Sequence, residues 1–350
     1  MEKLEFARVG EQMYHEKLEN GLNVFVFPKP DFQRGYAFFA TNYGGMDMRF
    51  CLNGEWHDTP AGVAHFLEHK MFDTKEGNAL QELAANGASP NAFTSNAITG
   101  YYFESTEKFE ENLRILLSFV SIPWFTQESV DKEQGIIGQE IRMYEDDPDW
   151  EVYIGLMEAL YKNHPVRANV AGSVESISHI TADTLYACHK AFYDPANMVL
   201  CVAGNVDPEH ICAVAREILP KEAGPIALKD YGEKEADRAA RSVQEKEMAV
   251  STPIFQLGWK GDAPQKGEGG QRQQLVGELA LEALLGSSSP LYAKLYREGL
   301  INQGFSYGYD AYPGCAFLCA GGESKDPFAV RDAVAGEAAR ICREGIDGKL

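Results

Sequence analysis

Apolar and polar residues alternate over positions 12–28, interrupted by Glu19-Asn20-Gly21, with Leu22-Asn23-Val24-Phe25-Val26-Phe27 as the second arm. That pattern predicts a β-hairpin. A third strand is expected at 35–42, where Tyr36, Phe38 and Phe39 lie. Thr59-Pro60 reads as an N-cap followed by an N1 proline, so a helix should begin directly after it. Helical periodicity continues at 78–86, stopped by Gly87, and at about 107–120, 127–144 and 149–161. Between these, Ala88 to Ser95 leads into a strand through Tyr101, Tyr102 and Phe103; Pro90 at its approach suits a sheet edge, which can spare one N–H. A strand at 197–204 and a helix at 207–219, capped by Asp207-Pro208, close this first part.

From 220 to 247 the residues become charged and small, which predicts a connection between domains. A strand at 248–259, helices at about 271–285 and 290–298, strands near 304–311 and 316–321, and a helix at 327–343 follow. The expected organisation is a first domain over 1–222, a linker over 223–247 and a second domain over 248–350. Both parts run strands first and helices later, an α+β rather than a βαβ order. The strand–helix–helix–strand order hints at two copies of one plan, without a clear repeat in the residues.

With 350 residues, 45% of them hydrophobic, the chain can bury one large core or two ordinary ones. Its net charge of −20 argues against nucleic acid and against anionic membranes as partners. Seven scattered cysteines without a C-x-x-C, and an N-terminus without a basic start and apolar run, point to reduced thiols and a cytoplasmic location.

The candidate chemistry lies in His65-Phe66-Leu67-Glu68-His69. Histidines four apart share a helix face, and a glutamate three after the first joins them. Two neutral imidazoles at that spacing can grip one Zn²⁺, with the carboxylate beside it to take a proton from water; H-x-x-E-H is the inverzincin order. The bland alternative is a surface helix with two solvated histidines. A catalytic zinc needs a third protein ligand. Glu133 and Glu140, two turns apart on one predicted helix, are candidates, although a Glu-rich helix reads equally well as a solvated face.

Taken together, His65 to His69, Gly87-Ala88-Ser89-Pro90-Asn91-Ala92-Phe93-Thr94-Ser95, Glu133 with Glu140, Met143-Tyr144-Glu145-Asp146-Asp147-Pro148, Asn163-His164-Pro165 and Asn197-Met198-Val199-Leu200 resemble the insulinase/pitrilysin family of zinc metallopeptidases, in particular its bacterial YmfH-like, processing-peptidase-type members. The resemblance implies an α+β fold of two related domains, each an antiparallel-rich sheet with helices on one face, the LuxS/mitochondrial-processing-peptidase-like metallohydrolase fold. It implies one Zn²⁺ per chain held by His65, His69 and Glu140, with Glu68 as general base. It also implies a hydrogen-bonding role for Glu133 beside the ligands, and peptide binding along Asn91, Ala92 and Phe93. The implied activity is endopeptidase cleavage of short or unfolded peptides.

Two departures from the family pattern stand out. Single-chain members carry an arginine and a tyrosine seven apart near a Gly-Leu pair; aligned on Gly299-Leu300, Tyr296 stands near the expected arginine and Asn302 near the expected tyrosine, and Arg297 with Tyr307 has the wrong spacing. The expectation is therefore a dimer, either of like chains or, as a heterodimer, with this chain as the zinc subunit beside a sibling that supplies the pair; the alternative is a partner-dependent or non-catalytic assembly subunit. The second domain is also shorter than the family's, which implies a partial domain.

Overall fold

The alternation read in the first hundred residues becomes a sheet. In the computed structural model, which describes residues 1–346, the hairpin forms as β2 (Glu11–Lys17) and β3 (Asn23–Pro28), and β1 (Glu2–Phe6), which the pattern did not predict, adds antiparallel to β2. β4 (Gly35–Thr41) and a small hairpin of β5 (Arg49–Leu52) and β6 (Glu55–Asp58) precede α1 (Val63–Met71) and α2 (Ala79–Ala85). Then come β7 (Ser89–Thr94), β8 (Thr99–Ser105), α3 (Phe109–Ser121), α4 (Gln127–Glu145) and α5 (Pro148–Leu160). After α6 (Val174–Ile177) and α7 (Ala182–Phe192), β9 (Met198–Gly204), α8 (Pro208–Ile218) and the short β10 (Leu228–Lys229) follow. The remainder is β11 (Ile254–Gly261), α9 (Glu268–Leu285), α10 (Pro290–Arg297), β12 (Ser306–Tyr312), β13 (Cys315–Glu323) and α11 (Pro327–Glu344).

These elements divide into two units, Met1–Ile141 with Asn169–Asp230, and Arg142–Ala168 with the chain from Tyr231 on. In the first, seven strands run in the order β1-β2-β3-β9-β4-β8-β7. All neighbours are antiparallel except β3 and β9, which pair in parallel because the chain returns through the helices before β9 enters the sheet. One face is core: Val24, Val26, Ala37, Phe39, Tyr101, Phe103, Leu200 and Val202 are buried. Phe66 and Leu67 of α1, Leu113, Leu116 and Leu117 of α3, and Leu185 and Phe192 of α7 are buried with them. Each such side chain contributes about 1.5–3 kcal/mol on burial, so the helices are pinned by their apolar faces rather than by propensity. β7 is one of the two edge strands and pairs only with β8, as β1 at the other edge pairs only with β2.

The second unit is a three-stranded antiparallel sheet in the order β11-β13-β12. Leu281 and Leu285 of α9, Leu295 of α10 and Val330 and Val334 of α11 pack with Phe255, Ala316 and Ala320 from the sheet. On its other face, Leu156, Met157 and Leu160 of α5 pack against Cys315 and Phe317. Gly258 lets α5 close in, since a Cβ there would stand 2.6 Å from Leu156. Residues 142–168, assigned to the first domain by composition, thus cluster with the second unit. The polar stretch after 222 is tied down by side-chain and ladder contacts. β10 pairs with β5 through Leu228 and Lys229, and Lys229 reaches Asp47 at 2.8 Å. Farther on, Glu235 accepts hydrogen bonds from the backbone N–H groups of Asn163 and His164. Among the described residues, no helix is long and apolar enough to cross a membrane.

Candidate metal centre

The helix that carries the histidines starts later than the capping pattern predicts. Thr59 does not cap it: both its N–H and its hydroxyl donate to the Met48 carbonyl, at 2.8 and 2.9 Å. Instead α1 begins after Gly62, which adopts φ 96° and offers no side-chain cap. A Cβ at Gly62 would lie 2.6 Å from the Ala171 carbonyl oxygen, so glycine permits both the left-handed turn and the close approach. From there Phe66, Leu67 and Met71 point into the core, which turns His65, Glu68 and His69 together onto the opposite face. α4 answers with Val130, Ile137 and Ile141 buried and Glu133 and Glu140 aligned two turns apart.

The two imidazole rings lie 4.6 Å apart, inclined at 66°. His65 Nε2 is 3.6 Å from Glu140 Oε1, and His69 Nε2 is 3.5 Å from Glu140 Oε2. The donor atoms of His65, His69 and Glu140 all fall within 4.8 Å of one another, and no other such group of three occurs among the described residues. Ligands about 2.0–2.1 Å from a tetrahedral zinc stand roughly 3.3–3.4 Å apart. Each histidine thus stands near a zinc-binding separation from one oxygen of Glu140, and the residues fit the metal.

Glu133 lies beside this group, its Oε1 3.2 Å from His69 Nδ1, an arrangement that fixes which nitrogen of His69 faces Glu140. His65 differs: its Nδ1 is buried without a hydrogen-bond partner, so that ring is held by packing. Glu68 is buried, and its Oε2 accepts a hydrogen bond of 2.7 Å from the Thr94 hydroxyl. Burial lowers the pKa of His65, helped by the neighbouring His69 and opposed by Glu140 and Glu133, and so favours the neutral, ligating form. At His69 burial also acts downward, but the Glu133 hydrogen bond and the charges of Glu68 and Glu140 outweigh it and raise the pKa. Burial raises Glu68, against the Thr94 hydrogen bond and the nearby His69.

Of the residues expected to hold peptide, Asn91, Ala92 and Phe93 all lie on β7, the edge strand that ends at Thr94. Phe93 is 39% exposed and stacks on Phe38 at 6.1 Å, and the Asn91 side chain accepts from the Ala92 N–H. Thr94 itself was given no role from sequence. Neither was Lys70, buried behind the histidines and paired with Asp73. No spacing rule could have found them, because both act across elements distant in sequence or through a turn. In the second unit, Tyr296 and Asn302 line an open cleft of about 620 Å³ with Asp149 and Glu323. The Asn302 amide donates to Glu323 at 2.8 Å, Tyr307 donates to Glu282 at 2.6 Å, and Arg297 is exposed.

A sheet-and-helix unit with a His-x-x-Glu-His helix facing a carboxylate from a second helix places the protein among those of this fold that carry a candidate His-His-Glu metal centre. Residues 53–174 match the family model described as Insulinase (Peptidase family M16), and 179–349 match the one described as Peptidase M16 inactive domain. The chain belongs to the insulinase family, peptidase family M16. It is 45% identical over 329 residues to a Bacillus subtilis protein named uncharacterized zinc protease YmfH, covering 93% of this chain and 77% of that one. It is 32% identical over 165 residues to B. subtilis YmxG, also named an uncharacterized zinc protease, which covers 45% of this chain and 40% of the relative. Among solved structures, an M16-like peptidase from Alicyclobacillus acidocaldarius superposes with a TM-score of 0.93 at 37% identity, over 99% of this chain and 82% of that one. A Helicobacter pylori protease shares the fold at TM-score 0.79 and 19% identity, over 97% of this chain and 82% of that one.

Proposed function

We propose that this chain is a zinc-dependent endopeptidase that hydrolyses bonds in short or unfolded peptides. The observation that carries the reading is the convergence of His65, His69 and Glu140 with the Glu68 carboxylate on the same helix face. His65, His69 and Glu140 would hold one Zn²⁺, which when bound supplies Lewis acidity that eases water deprotonation and polarises a carbonyl. Thr94 holds Glu68 by Oε2, which leaves Oε1 to take the proton of the attacking water and return it to the leaving amine. The burial that raises the proton affinity of Glu68 suits that task. Along β7, the unpaired edge at Asn91, Ala92 and Phe93 would take an extended peptide as an added strand, with main-chain hydrogen bonds giving affinity without demanding one sequence.

The test is cleavage of a mixed peptide library by the zinc-loaded chain, with Glu68→Gln as control. Cleavage by the wild type and none by the control supports the reading; equal rates in both reject it.

A second reading, a partner-dependent or non-catalytic subunit of a heterodimeric processing peptidase, has its own support. Tyr296 and Asn302 stand near the positions where the family's arginine and tyrosine are expected, and Asn302 and Tyr307 are engaged with Glu323 and Glu282. Mixing the chain with a sibling that carries the pair but lacks the His-x-x-Glu-His helix separates the two. Full activity of this chain alone rejects the second.

A further inference from the structure

We infer that Lys70 is a positioning residue of the metal centre: its buried ammonium anchors Glu133, and through Glu133 it sets the ring of His69. The inference rests on the reading of His65, His69 and Glu140 as metal ligands. Lys70 follows His69 directly on α1, yet it turns inward and is only 1% exposed. Its Nζ pairs with Asp73 and lies 3.8 Å from Glu133 Oε2. The other oxygen of Glu133 is 3.2 Å from His69 Nδ1. Ammonium, carboxylate and imidazole therefore form one continuous line, and its far end is Nε2, 3.5 Å from Glu140 Oε2.

The physical case has two parts. A buried ammonium is costly unless paired, and Asp73, one turn away on the same stretch of chain, supplies a first carboxylate. Glu133 comes from α4 and is the one that touches a ligand. Glu133 and Glu140 both stand within 3.5 Å of ring nitrogens of His69, and the Lys70 ammonium lies on the far side of Glu133 from that ring. With Oε1 accepting the Nδ1–H of a neutral His69, the lone pair is confined to Nε2, where a metal is to be bound. Without Lys70, Glu133 loses its anchor and the imidazole loses its fixed tautomer and orientation.

The experiment measures zinc affinity of the full chain by competition with a chromogenic chelator, for the wild type, Lys70→Met, Glu133→Gln and the double variant, with His69→Ala as reference. Lys70→Met is expected to bind zinc about 10- to 100-fold more weakly, Glu133→Gln to a similar degree, and the double variant no more than about threefold below Glu133→Gln. Unchanged affinity in Lys70→Met, or losses that multiply in the double variant, overturn the proposal. Should Lys70→Met fail to fold, Lys70→Gln, which keeps a buried donor, takes its place in the cycle. An independent readout needs no variant: long-range ¹H–¹⁵N spectra of the zinc-loaded, histidine-labelled wild type should show His69 protonated at Nδ1, and the opposite tautomer overturns the proposal. If the wild type binds no zinc, or His69→Ala binds it equally well, the metal-site reading itself has failed. If His69→Ala loses zinc while Lys70→Met keeps it, only the role of Lys70 falls.

Discussion

Removing the negative charge of Glu235 should cost the second unit stability at neutral pH and nothing at low pH. Glu235 lies in the polar stretch after position 222, yet its side chain is only 10% exposed. One carboxylate oxygen accepts the N–H of Asn163 and, at 2.7 Å, that of His164, just after α5 ends; the other is 3.2 Å from Lys260 Nζ. Burial alone would raise its pKa, but the backbone N–H groups of Asn163, His164 and Lys162, with Lys260, outweigh burial and hold it at about 2. Against the ordinary glutamate value of 4.5, that depression corresponds to about 3 kcal/mol as an upper figure, at about 1.4 kcal/mol per pH unit. The folded-state pKa is the lower one, so the contribution is complete above about pH 4.5 and is lost as pH falls through about 2.

Glu235→Gln keeps the shape of the side chain but cannot titrate or pair as a charge. Urea unfolding, followed by tryptophan fluorescence and by hydrogen exchange of the 161–166 amides, should place the variant about 2–3 kcal/mol below the wild type at pH 7. The gap should narrow by about 1.4 kcal/mol per unit once pH drops below 4.5. A gap that stays constant from pH 7 to pH 3, or one smaller than about 0.5 kcal/mol at pH 7, would refute the reasoning.

Other outcomes follow from the first unit. Thr94→Val should retain zinc but lose about tenfold in peptidase kcat/KM, since one hydrogen bond to the Glu68 carboxylate is worth about 1.5 kcal/mol; unchanged kcat/KM would exclude Thr94 from the mechanism. Gly62→Ala, forced toward φ 96° and against the Ala171 carbonyl, should destabilise the protein by at least about 1 kcal/mol and weaken zinc binding, read by thermal unfolding and chelator competition. Burial pushes His189 down to about 4, against its hydrogen bond to the Val120 carbonyl. Because the unfolded chain takes up that proton first, His189 lowers stability as pH falls from about 6.5 toward 4, and the wild type minus His189→Gln difference should decline over that window. A flat difference in paired unfolding curves would count against it. Exhaustive chelation should remove zinc from the wild type and lower its melting temperature, an effect absent in His65→Ala, which would hold no metal to lose.

What the chain disclosed about itself depended on how local the physics was. His65, Glu68 and His69 are visible because a helix turn alone brings positions i, i+3 and i+4 together. Glu140 was one acidic residue on an acidic helix, separated from its neighbours only by the family resemblance, and the structure brings it within 3.6 Å of His65. Element positions followed the same rule: the hairpin, α2, α8 with its Asp207 cap and β12 and β13 fall close to where pattern and capping put them, whereas β11 starts at Ile254, six residues into the strand expected from 248. α7 was passed over although Thr181 caps it and Leu185, Cys188 and Phe192 recur on one face. Thr59 failed as a cap for a different reason. A side chain that satisfies every local rule for capping was taken by the Met48 carbonyl, a partner that exists only once the β5–β6 region has folded.

The same reasoning explains the hidden half of the candidate site. Thr94 meets Glu68 across 26 positions, and Lys70 meets Glu133 across 63; no periodicity encodes such pairs. A lysine directly after a candidate ligand histidine looks like a solvated neighbour on an exposed helix, yet it is among the largest fully buried side chains of the protein. A buried ammonium is costly unless paired, and Asp73 and Glu133 are the carboxylates that stand beside it. The groups without a sequence signature, Thr94 on the Glu68 carboxylate and Lys70 behind Glu133, are therefore the ones that the proposed roles add to three well-spaced candidate ligands.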